Sequence, residues 1–326
     1  MIDFPFSVFR FNISQFIIFF SKKYSLNYDM KNKTKSKITK PFWLNTKIPG
    51  GKNYLAVKKI VEDNNLHTVC QEAFCPNLKE CWSNNTATFM ILGDTCTRNC
   101  KFCDVKNGIP LKPDHDEPNR VANAVKLMKL DYVVITSPTR DDLIDGGAEI
   151  WANTIKKIKD LNPNCKVELL IPDFKGKIED LEIVMKEKPD VVGHNLETAP
   201  SLYKSIRPEA NYKQSLKILR SANKYDTITK TGIMLGLGET KKEVLDIMKD
   251  AYESGVKFFT LGQYLQPSKE NASVKEFITP ETFEYYKNEG MKISFQHVES
   301  GPLVRSSYHA DKYFESFLQR TKTNKN

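Results

Sequence analysis

The feature that most constrains the fold is a regular alternation of strand-like and helix-like segments from residue 88 onward. The strand-like segments are rich in Val, Ile and Leu and lie at 88–92, 131–137, 166–171, 190–196, 228–235, 258–265 and 293–298. Amphipathic helices are predicted among them at 120–129, 148–161, 179–188, 213–224, 241–254 and 281–289. Buried strands that alternate with helices indicate an α/β fold with a parallel sheet. The number of units predicts a partial (β/α)6-type TIM barrel. A doubly wound sheet is the alternative, but the glycine fingerprint after its first strand is missing.

Composition and charge exclude several classes. The chain has 326 residues, 40% of them hydrophobic, which suits a folded protein with one large core or two ordinary ones. The net charge of +9 is not gathered into an Arg-rich stripe, and the basic run at 31–40 is interpreted as a solvated tail, so no nucleic-acid binding is predicted. The apolar run Phe16–Phe20 is far too short to span a membrane, so no stable membrane insertion is predicted.

Residues 1–30 are set apart as a non-core extension. They contain Arg10, Lys22 and Lys23 and few acids, as a targeting-like segment would, while Met30 offers an alternative start directly before the globular part. The predicted divisions are 1–30, 31–85 with a cysteine-rich extension, 86–299 with the barrel, and 300–326 with a C-terminal lid segment. The predicted compartment is cytoplasmic, or an organellar matrix if residues 1–29 are a transit segment.

Six of the seven cysteines form two triplets. The first is Cys70, Cys75 and Cys81, and the second is Cys96, Cys100 and Cys103. Such clustered thiols in an enzyme of this size are more often metal ligands than disulfides, which indicates a reducing compartment. A structural zinc ion and an iron–sulfur cube each normally take four protein ligands, so three thiolates leave one metal corner free. Cys165 stands apart and is interpreted as a buried or incidental thiol.

The second triplet follows the first predicted strand, at the carboxyl end of the barrel where such folds build their active sites. Polar residues that follow the later strands are expected on the same rim. They are Asp141, Asp142, Asp145, Asn195, Glu197, Glu239, Gln263 and Gln266.

The segment Cys96-Thr-Arg-Asn-Cys100-Lys-Phe-Cys103 resembles the C-x3-C-x-aromatic-C signature of radical S-adenosylmethionine enzymes. A zinc knuckle is disfavoured because no His or Cys follows at zinc spacing. The first triplet, Cys70-Gln-Glu-Ala-Phe-Cys75-Pro-Asn-Leu-Lys-Glu-Cys81, resembles the auxiliary-cluster motif of the lipoyl synthase family. The resemblance covers residues 40–315. It continues through the segments at 86–93, 140–147, 194–197, 236–239, 261–267 and 301–310.

The resemblance implies an activity and its cofactors. Lipoyl synthases insert two sulfur atoms, at C6 and C8, into an octanoyl chain attached to a carrier-protein lysine. The implied cofactors are two [4Fe–4S] clusters and S-adenosylmethionine, which is cleaved to a 5′-deoxyadenosyl radical at one cluster while the other donates sulfur. By this resemblance Cys96, Cys100 and Cys103 hold the first cluster. The auxiliary cluster is held by Cys70, Cys75, Cys81 and Ser307, with Ser306 as the less favoured choice. A serine oxygen is a harder and more readily displaced iron ligand than a thiolate.

The resemblance also suggests contacts to S-adenosylmethionine. Gly146 and Gly147 would meet the methionyl amine, Asn195 and Glu197 the ribose or methionine part, and Glu239 the adenine. Arg305 would orient the serine motif or pair with an acid. The chain departs from the family pattern at Phe74, at Gly193 and at Pro138-Thr139, which bears on local packing and on channel shape but removes no ligand.

Two other functions stay open from the sequence. One is another radical S-adenosylmethionine enzyme that inserts sulfur, of the biotin synthase or methylthiotransferase type. The other is a two-cluster electron carrier, although ferredoxins are short and close each cluster with four cysteines. The implied partners are octanoylated lipoyl carrier domains of 2-oxoacid dehydrogenases or the glycine-cleavage carrier, a reductant such as ferredoxin or flavodoxin, and a cluster-repair protein. The protein is predicted to be a monomer.

Overall fold

The computed structural model describes residues 39–46 and 51–323. Residues 40–326 belong to one compact unit, so the predicted boundaries near residues 85 and 299 lie inside it and stay predictions. The interpretations of residues 1–30, including a start at Met30, lie outside the described residues. No helix among the described residues is long and apolar enough to cross a membrane.

Eight strands form one sheet in the order β1-β2-β5-β6-β7-β8-β9-β10. All neighbours are parallel except β1, which pairs with β2 in the antiparallel sense. The strands are β1 His67–Thr68, β2 Thr88–Met90, β5 Tyr132–Thr136, β6 Lys166–Leu170, β7 Val191–Gly193, β8 Ile228–Leu235, β9 Phe258–Gln263 and β10 His297–Gly301. A separate pair joins β3 Thr95–Cys96 to β4 Lys106–Asn107. Within the described strands β1 and β10 do not pair, so the barrel is partial, as predicted.

Most of the helices lie in the connections between parallel strands, and the others precede β2 or follow β10. The helices are α1 Lys52–Asp63, α2 Val69–Glu72, α3 Leu78–Ser83, α4 Glu117–Met128, α5 Ala148–Leu161, α6 Ile178–Met185, α7 Tyr203–Ile206, α8 Tyr212–Ala222, α9 Lys241–Glu253, α10 Pro280–Ile293 and α11 Ala310–Thr323. Their starts follow local chemistry. In α9, for example, Thr240 and Glu243 form a reciprocal capping box.

The periodicity located most elements correctly, with one error in type. The segment 293–298 was predicted as a strand, but α10 continues to Ile293 and the strand begins only at His297. Ser294 adopts a left-handed backbone conformation (φ 86°) that ends the helix, which separates the two elements by a short turn.

The two faces of the sheet have different neighbours because side chains alternate along each strand. Val133, Val167 and other outward residues pack in the cluster that also contains the apolar sides of α4, α5 and α6. Inward residues at the amino ends of the strands, such as Val191 and Phe258, pack instead against Tyr313 and Phe314 of α11. Helix α11 therefore covers the amino-terminal end of the barrel interior, and the carboxyl-terminal end is left for a cavity.

The chain between β10 and α11 passes across the barrel interior. The carbonyl of Val304 lies so close to β9 that a Cβ on Gly262 would come within 2.0 Å of its oxygen. The carbonyl of Leu303 accepts a hydrogen bond from Nδ2 of Asn77 (2.7 Å), next to the first cysteine triplet. This segment, 302–309, thus connects the sheet to the cysteine-rich extension.

Candidate active site

Cysteines from both triplets line one cavity at the carboxyl end of the barrel. A cavity of about 550 Å³ is lined by Cys70 and Cys75 of the first triplet and by Cys96, Cys100 and Cys103 of the second. A second cavity of about 710 Å³ is lined by Cys70 and Cys81. Ser307 lines both cavities. The structure therefore brings together two motifs that are separated along the chain, and it adds the serine from the C-terminal segment.

Backbone hydrogen bonds hold the second triplet at the end of β3. The amides of Arg98 and Thr139 donate to Sγ of Cys96, at 3.4 and 3.3 Å. The amide of Cys103 donates to the carbonyl of Cys100 (3.1 Å), and the carbonyl of Cys103 accepts from Nδ2 of Asn271 (2.9 Å). These hydrogen bonds fix the Cys96 sulfur and the turn from Cys100 to Cys103 in the loop that follows β3.

A buried ion-pair network fixes the same loop. The guanidinium of Arg98 donates two hydrogen bonds to Asp141 (2.7 and 3.0 Å) and two to Asp173 (2.7 and 2.9 Å). Burial raises the pKa of Asp173, but the Arg98 hydrogen bonds, with help from Gln214, outweigh it and hold that pKa well below its usual range. Sequence analysis did not assign a role to Arg98, although its place between Cys96 and Cys100 was a signal that it acts at the cluster loop.

The first triplet is carried by two short helices. Cys70 lies in α2, whose Thr68 cap accepts a hydrogen bond from the amide of Gln71, and Cys81 lies in α3. Cys75 occupies the turn between them, directly after Phe74, whose side chain is 74% exposed. Two short helices and the turn between them therefore carry the three thiols of the first triplet.

The thiols suit an iron–sulfur cluster by their chemistry. All seven cysteines are free. Burial, then the charge of neighbouring cysteines, raises the pKa of Cys70, Cys81 and Cys103 to about 12, and burial raises that of Cys100 to about 11. Buried thiolates that repel one another need positive metal to compensate them. Among the described residues no three His, Cys, Asp or Glu side chains converge on the position of a single ion, so the fit rests on this donor chemistry.

The structure distinguishes the two candidate serines. Oγ of Ser306 accepts a hydrogen bond from Nδ2 of Asn195 (2.6 Å), so one of its two lone pairs is already engaged. The Ser307 hydroxyl makes no hydrogen bond within the described part of the chain, and Ser307 lines both cavities that the first triplet lines. These contacts favour Ser307 as the predicted fourth ligand of the first triplet.

One wall of the cavity carries buried polar atoms without partners. Oδ1 of Asn195 and Nε of Arg207 make no hydrogen bond within the described residues, although both side chains line the cavity beside Cys100. Glu197 lies on the same wall with a positive φ of 66°, and β8 holds it there through Gly232 and Met234. Burial raises the pKa of Glu197, while the positive charge of Arg207 opposes that rise. Such unmatched groups and a strained backbone suit a polar ligand such as S-adenosylmethionine.

Three of the predicted cofactor contacts lie elsewhere. Gly146 and Gly147 are not in the lining of this cavity; they adopt positive φ angles at the start of α5, and a Cβ on Gly147 would meet Leu92 at 2.5 Å. The carboxylate of Glu239 accepts hydrogen bonds from the amides of Gly236 and Leu237 in its own loop. The loop after β5 reaches the cavity through Ser137, Pro138 and Thr139 instead.

The other predicted rim residues have mixed roles. Asn195, Glu197 and Gln266 line the cavity. The remaining ones hold loops: Asp141 binds Arg98, Asp142 binds Arg140, Asp145 accepts from the amides of Gly147 and Glu149, and Gln263 donates to backbone carbonyls. Arg305 also lines the cavity, and its Nη1 donates to the carbonyl of Val304 (2.7 Å). Cys165 is buried, as predicted.

Comparison with known proteins identifies the family. The model for the radical SAM superfamily matches residues 90–251, and that for the N-terminal domain of lipoyl synthase matches residues 19–75. The lipoyl synthase of Caldicellulosiruptor saccharolyticus is 54% identical over 274 residues, which cover 83% of this chain and 96% of that protein. The chain belongs to the lipoyl synthase family. The mitochondrial lipoyl synthase of Nematostella vectensis is 50% identical over 84% of this chain and 94% of that protein.

The fold agrees with this membership. The crystal structure of methylornithine synthase (PylB) superposes with a TM-score of 0.51 at 11% identity, covering 83% of this chain and 87% of that chain. At that identity the likeness concerns the fold alone. Family membership makes this chain a lipoyl synthase, a radical S-adenosylmethionine enzyme that inserts sulfur, with [4Fe–4S] clusters and S-adenosylmethionine as cofactors. Lipoyl synthases act on lipoyl carrier proteins and need a reductant.

Proposed function

We propose that this lipoyl synthase divides its work between the two triplets. Cys96, Cys100 and Cys103 would hold the cluster at which S-adenosylmethionine binds. Cys70, Cys75, Cys81 and Ser307 would hold the auxiliary cluster that serves as the sulfur source. The observation that carries this proposal is the cavity of about 550 Å³, because sulfur atoms from both triplets and Ser307 line it together.

When bound, the clusters and S-adenosylmethionine supply an electron, a carbon radical and sulfur for insertion at C6 and C8 of an octanoyl chain. The residues of this chain position the reactants. Met90, Leu170 and Met234 line the cavity with apolar side chains that suit a methylene chain, and Asn195 and Arg207 offer a hydrogen-bond acceptor and donor that suit the polar cofactor. A cavity shared by both triplets would keep the reacting groups within near-attack distance of one another.

The unequal ligand sets support the unequal tasks. Three thiolates leave a corner free for a cofactor that must come and go. A serine hydroxyl as fourth ligand suits a cluster that must give up its sulfur, since a hard oxygen binds iron less firmly than a thiolate does. Gly146, Gly147 and Glu239 remain proposals as cofactor contacts, and their positions give them a supporting role around the cavity.

The proposed substrate is an octanoyl-lysine on a lipoyl carrier domain of a 2-oxoacid dehydrogenase or on the glycine-cleavage carrier. A small reductant such as ferredoxin or flavodoxin and a protein that rebuilds the auxiliary cluster would complete the cycle. We propose a monomer in a reducing compartment, the cytoplasm or, as for the mitochondrial relative, an organellar matrix.

The test is an anaerobic reaction with an octanoyl-lysine peptide. The reconstituted protein, S-adenosylmethionine and dithionite should give a product with two added sulfur atoms by mass spectrometry. The Cys70→Ala variant should still release 5′-deoxyadenosine but add no sulfur, whereas Cys96→Ala should do neither. Sulfur insertion by Cys70→Ala at the wild-type level would overturn the assignment. As a matched control, Cys165→Ala, which changes a buried cysteine outside both triplets, should insert sulfur as the wild type does.

A further inference from the structure

The ammonium group of Lys230 is buried inside the barrel and contacts the segment that carries the serine motif. The Lys230 side chain, on β8, is 2% exposed. Its Nζ donates to Oε1 of Glu168 on β6 (2.6 Å), to the carbonyl of Ser306 (2.5 Å) and to the hydroxyl of Tyr313 on α11. The second oxygen of Glu168 accepts from the hydroxyl of Tyr132 on β5.

These contacts saturate the lysine. An ammonium has three N–H donors, and Lys230 makes three hydrogen bonds to three different acceptors. A buried charge is tolerated only when it is paired and fully hydrogen-bonded, and both conditions are met here. An aliphatic side chain of the same length would fill this space with less cost, so packing alone does not account for a lysine at this position.

The lysine acts on one peptide unit in particular. Ser306 is held at its carbonyl by Lys230 and Tyr313 and at its side chain by Nδ2 of Asn195 (2.6 Å). The next residue, Ser307, lines both cavities of the first cysteine triplet, and its hydroxyl makes no hydrogen bond to any described residue. The groups that fix Ser306 therefore determine where the Ser307 hydroxyl lies.

We infer that Lys230 is a positioning residue for the auxiliary cluster. Through the Ser306 carbonyl it holds the peptide that presents Ser307, with Glu168 as its counter-ion and Tyr313 as its connection to α11. This inference rests on the proposed ligand role of Ser307. It implies that the hydrogen bonds that hold Ser306 in the barrel interior determine how easily Ser307 dissociates from the cluster as the cluster is consumed.

The experiment uses the full chain with Cys96, Cys100 and Cys103 changed to Ala, so that only the auxiliary cluster is loaded. Two readouts are taken without turnover: the Mössbauer spectrum of the cluster, and the rate at which an anaerobic chelator removes iron. Lys230→Met is combined with Glu168→Gln so that no unpaired charge is buried. The matched control is Lys159→Met. Nζ of Lys159 also donates to two backbone carbonyls, those of Glu187 and Lys188, but this lysine lies on α5, far in sequence from the serine motif.

The double variant should release iron about ten to a hundred times faster than the parent, which is the loss expected for a hydrogen bond to a charged group. It should also show the altered unique-iron signal that is expected for Ser307→Ala. Lys159→Met should behave like the parent.

The outcomes separate the two proposals. If Ser307→Ala leaves the spectrum and the rate unchanged, the ligand assignment itself fails. If Ser307→Ala changes both but the double variant matches the parent, the role of Lys230 is overturned. Should the double variant fail to fold, Tyr313→Phe decides, because it keeps the ion pair and removes two contacts of the network: faster iron release supports the inference, and parent-like release refutes it.

Discussion

The sharpest test of the site's architecture is Arg98→Met, which removes a charge and keeps much of the side-chain volume. Arg98 makes four charge-assisted hydrogen bonds to two carboxylates, and its side chain is 6% exposed while that of Asp173 is 0% exposed. Removing the arginine leaves a buried carboxylate with only Gln214 and a backbone amide as partners.

The expected cost is about 3–5 kcal/mol of unfolding free energy, the range for breaking a buried ion pair by removing one partner. The four hydrogen bonds do not add independently, because they share two acceptor groups. The assay is urea unfolding of the metal-free protein under anaerobic, reducing conditions. The control is Arg120→Met, whose partners Asp114 and Asp116 have side chains 54% and 66% exposed; it should cost about 0–1 kcal/mol.

The pH dependence adds a second constraint. Arg98 holds the pKa of Asp173 in the folded protein below the pKa of the same group in the unfolded chain. The ion pair therefore contributes its full stabilisation at a pH above the unfolded pKa, and this contribution is lost as the pH falls below that pKa. The difference between wild type and Arg98→Met should therefore be largest near neutral pH and shrink below about pH 4. If Arg98→Met lowered the free energy of unfolding only as much as Arg120→Met does, or by an amount independent of pH, Arg98 would not stabilise the fold through its buried ion pair.

Three further predictions follow from single sites. Gly262→Ala places a Cβ 2.0 Å from the Val304 carbonyl oxygen and should speed proteolysis of the C-terminal segment, whereas Gly301→Ala, with its nearest atom at 3.4 Å, should not. Burial lowers the pKa of His194 to about 4, so as the pH falls from about 6.5 to 4 the unfolded chain takes up a proton that the folded chain does not. The free energy of unfolding should therefore decrease by about 3 kcal/mol over that pH range. His194→Gln should flatten this pH dependence in urea titrations. Thr240→Ala removes the cap of α9 and should cost about 1 kcal/mol without changing sulfur insertion in the peptide assay.

The sequence was a good guide to the sheet because its strands are apolar and its helices amphipathic. It was a poorer guide where the interior is polar. The strands at 166–171 and 228–235 were predicted from their apolar residues, yet Glu168 in the first and Lys230 in the second form a buried ion pair inside the barrel. The residues next to Glu168 and Lys230 in the sequence do not predict that these two side chains pair.

The candidate site shows the same limit. Spacing alone revealed the two cysteine triplets, whose cysteines line the two cavities, and their role as cluster ligands stays a prediction. Ser307 was predicted only from the resemblance, because it lies more than two hundred residues from the first triplet. Gly146 and Gly147 were predicted to allow close approach of the cofactor, and the structure places Leu92 and Phe174 beside them. Helix α11 was not predicted, although Tyr313, Phe314 and Phe317 lie on one helical face and pack under the barrel.

The central claim is that the cluster at Cys70, Cys75 and Cys81 supplies the sulfur. The most direct measurement is a single turnover of protein reconstituted with 34S-sulfide, in a medium containing only natural-abundance sulfide, followed by mass spectrometry of the peptide. If this cluster is the sulfur source, both inserted sulfur atoms are 34S, and the Cys70→Ala variant gives no product. A product that carries sulfur from the medium would contradict the assignment of this cluster as the sulfur source.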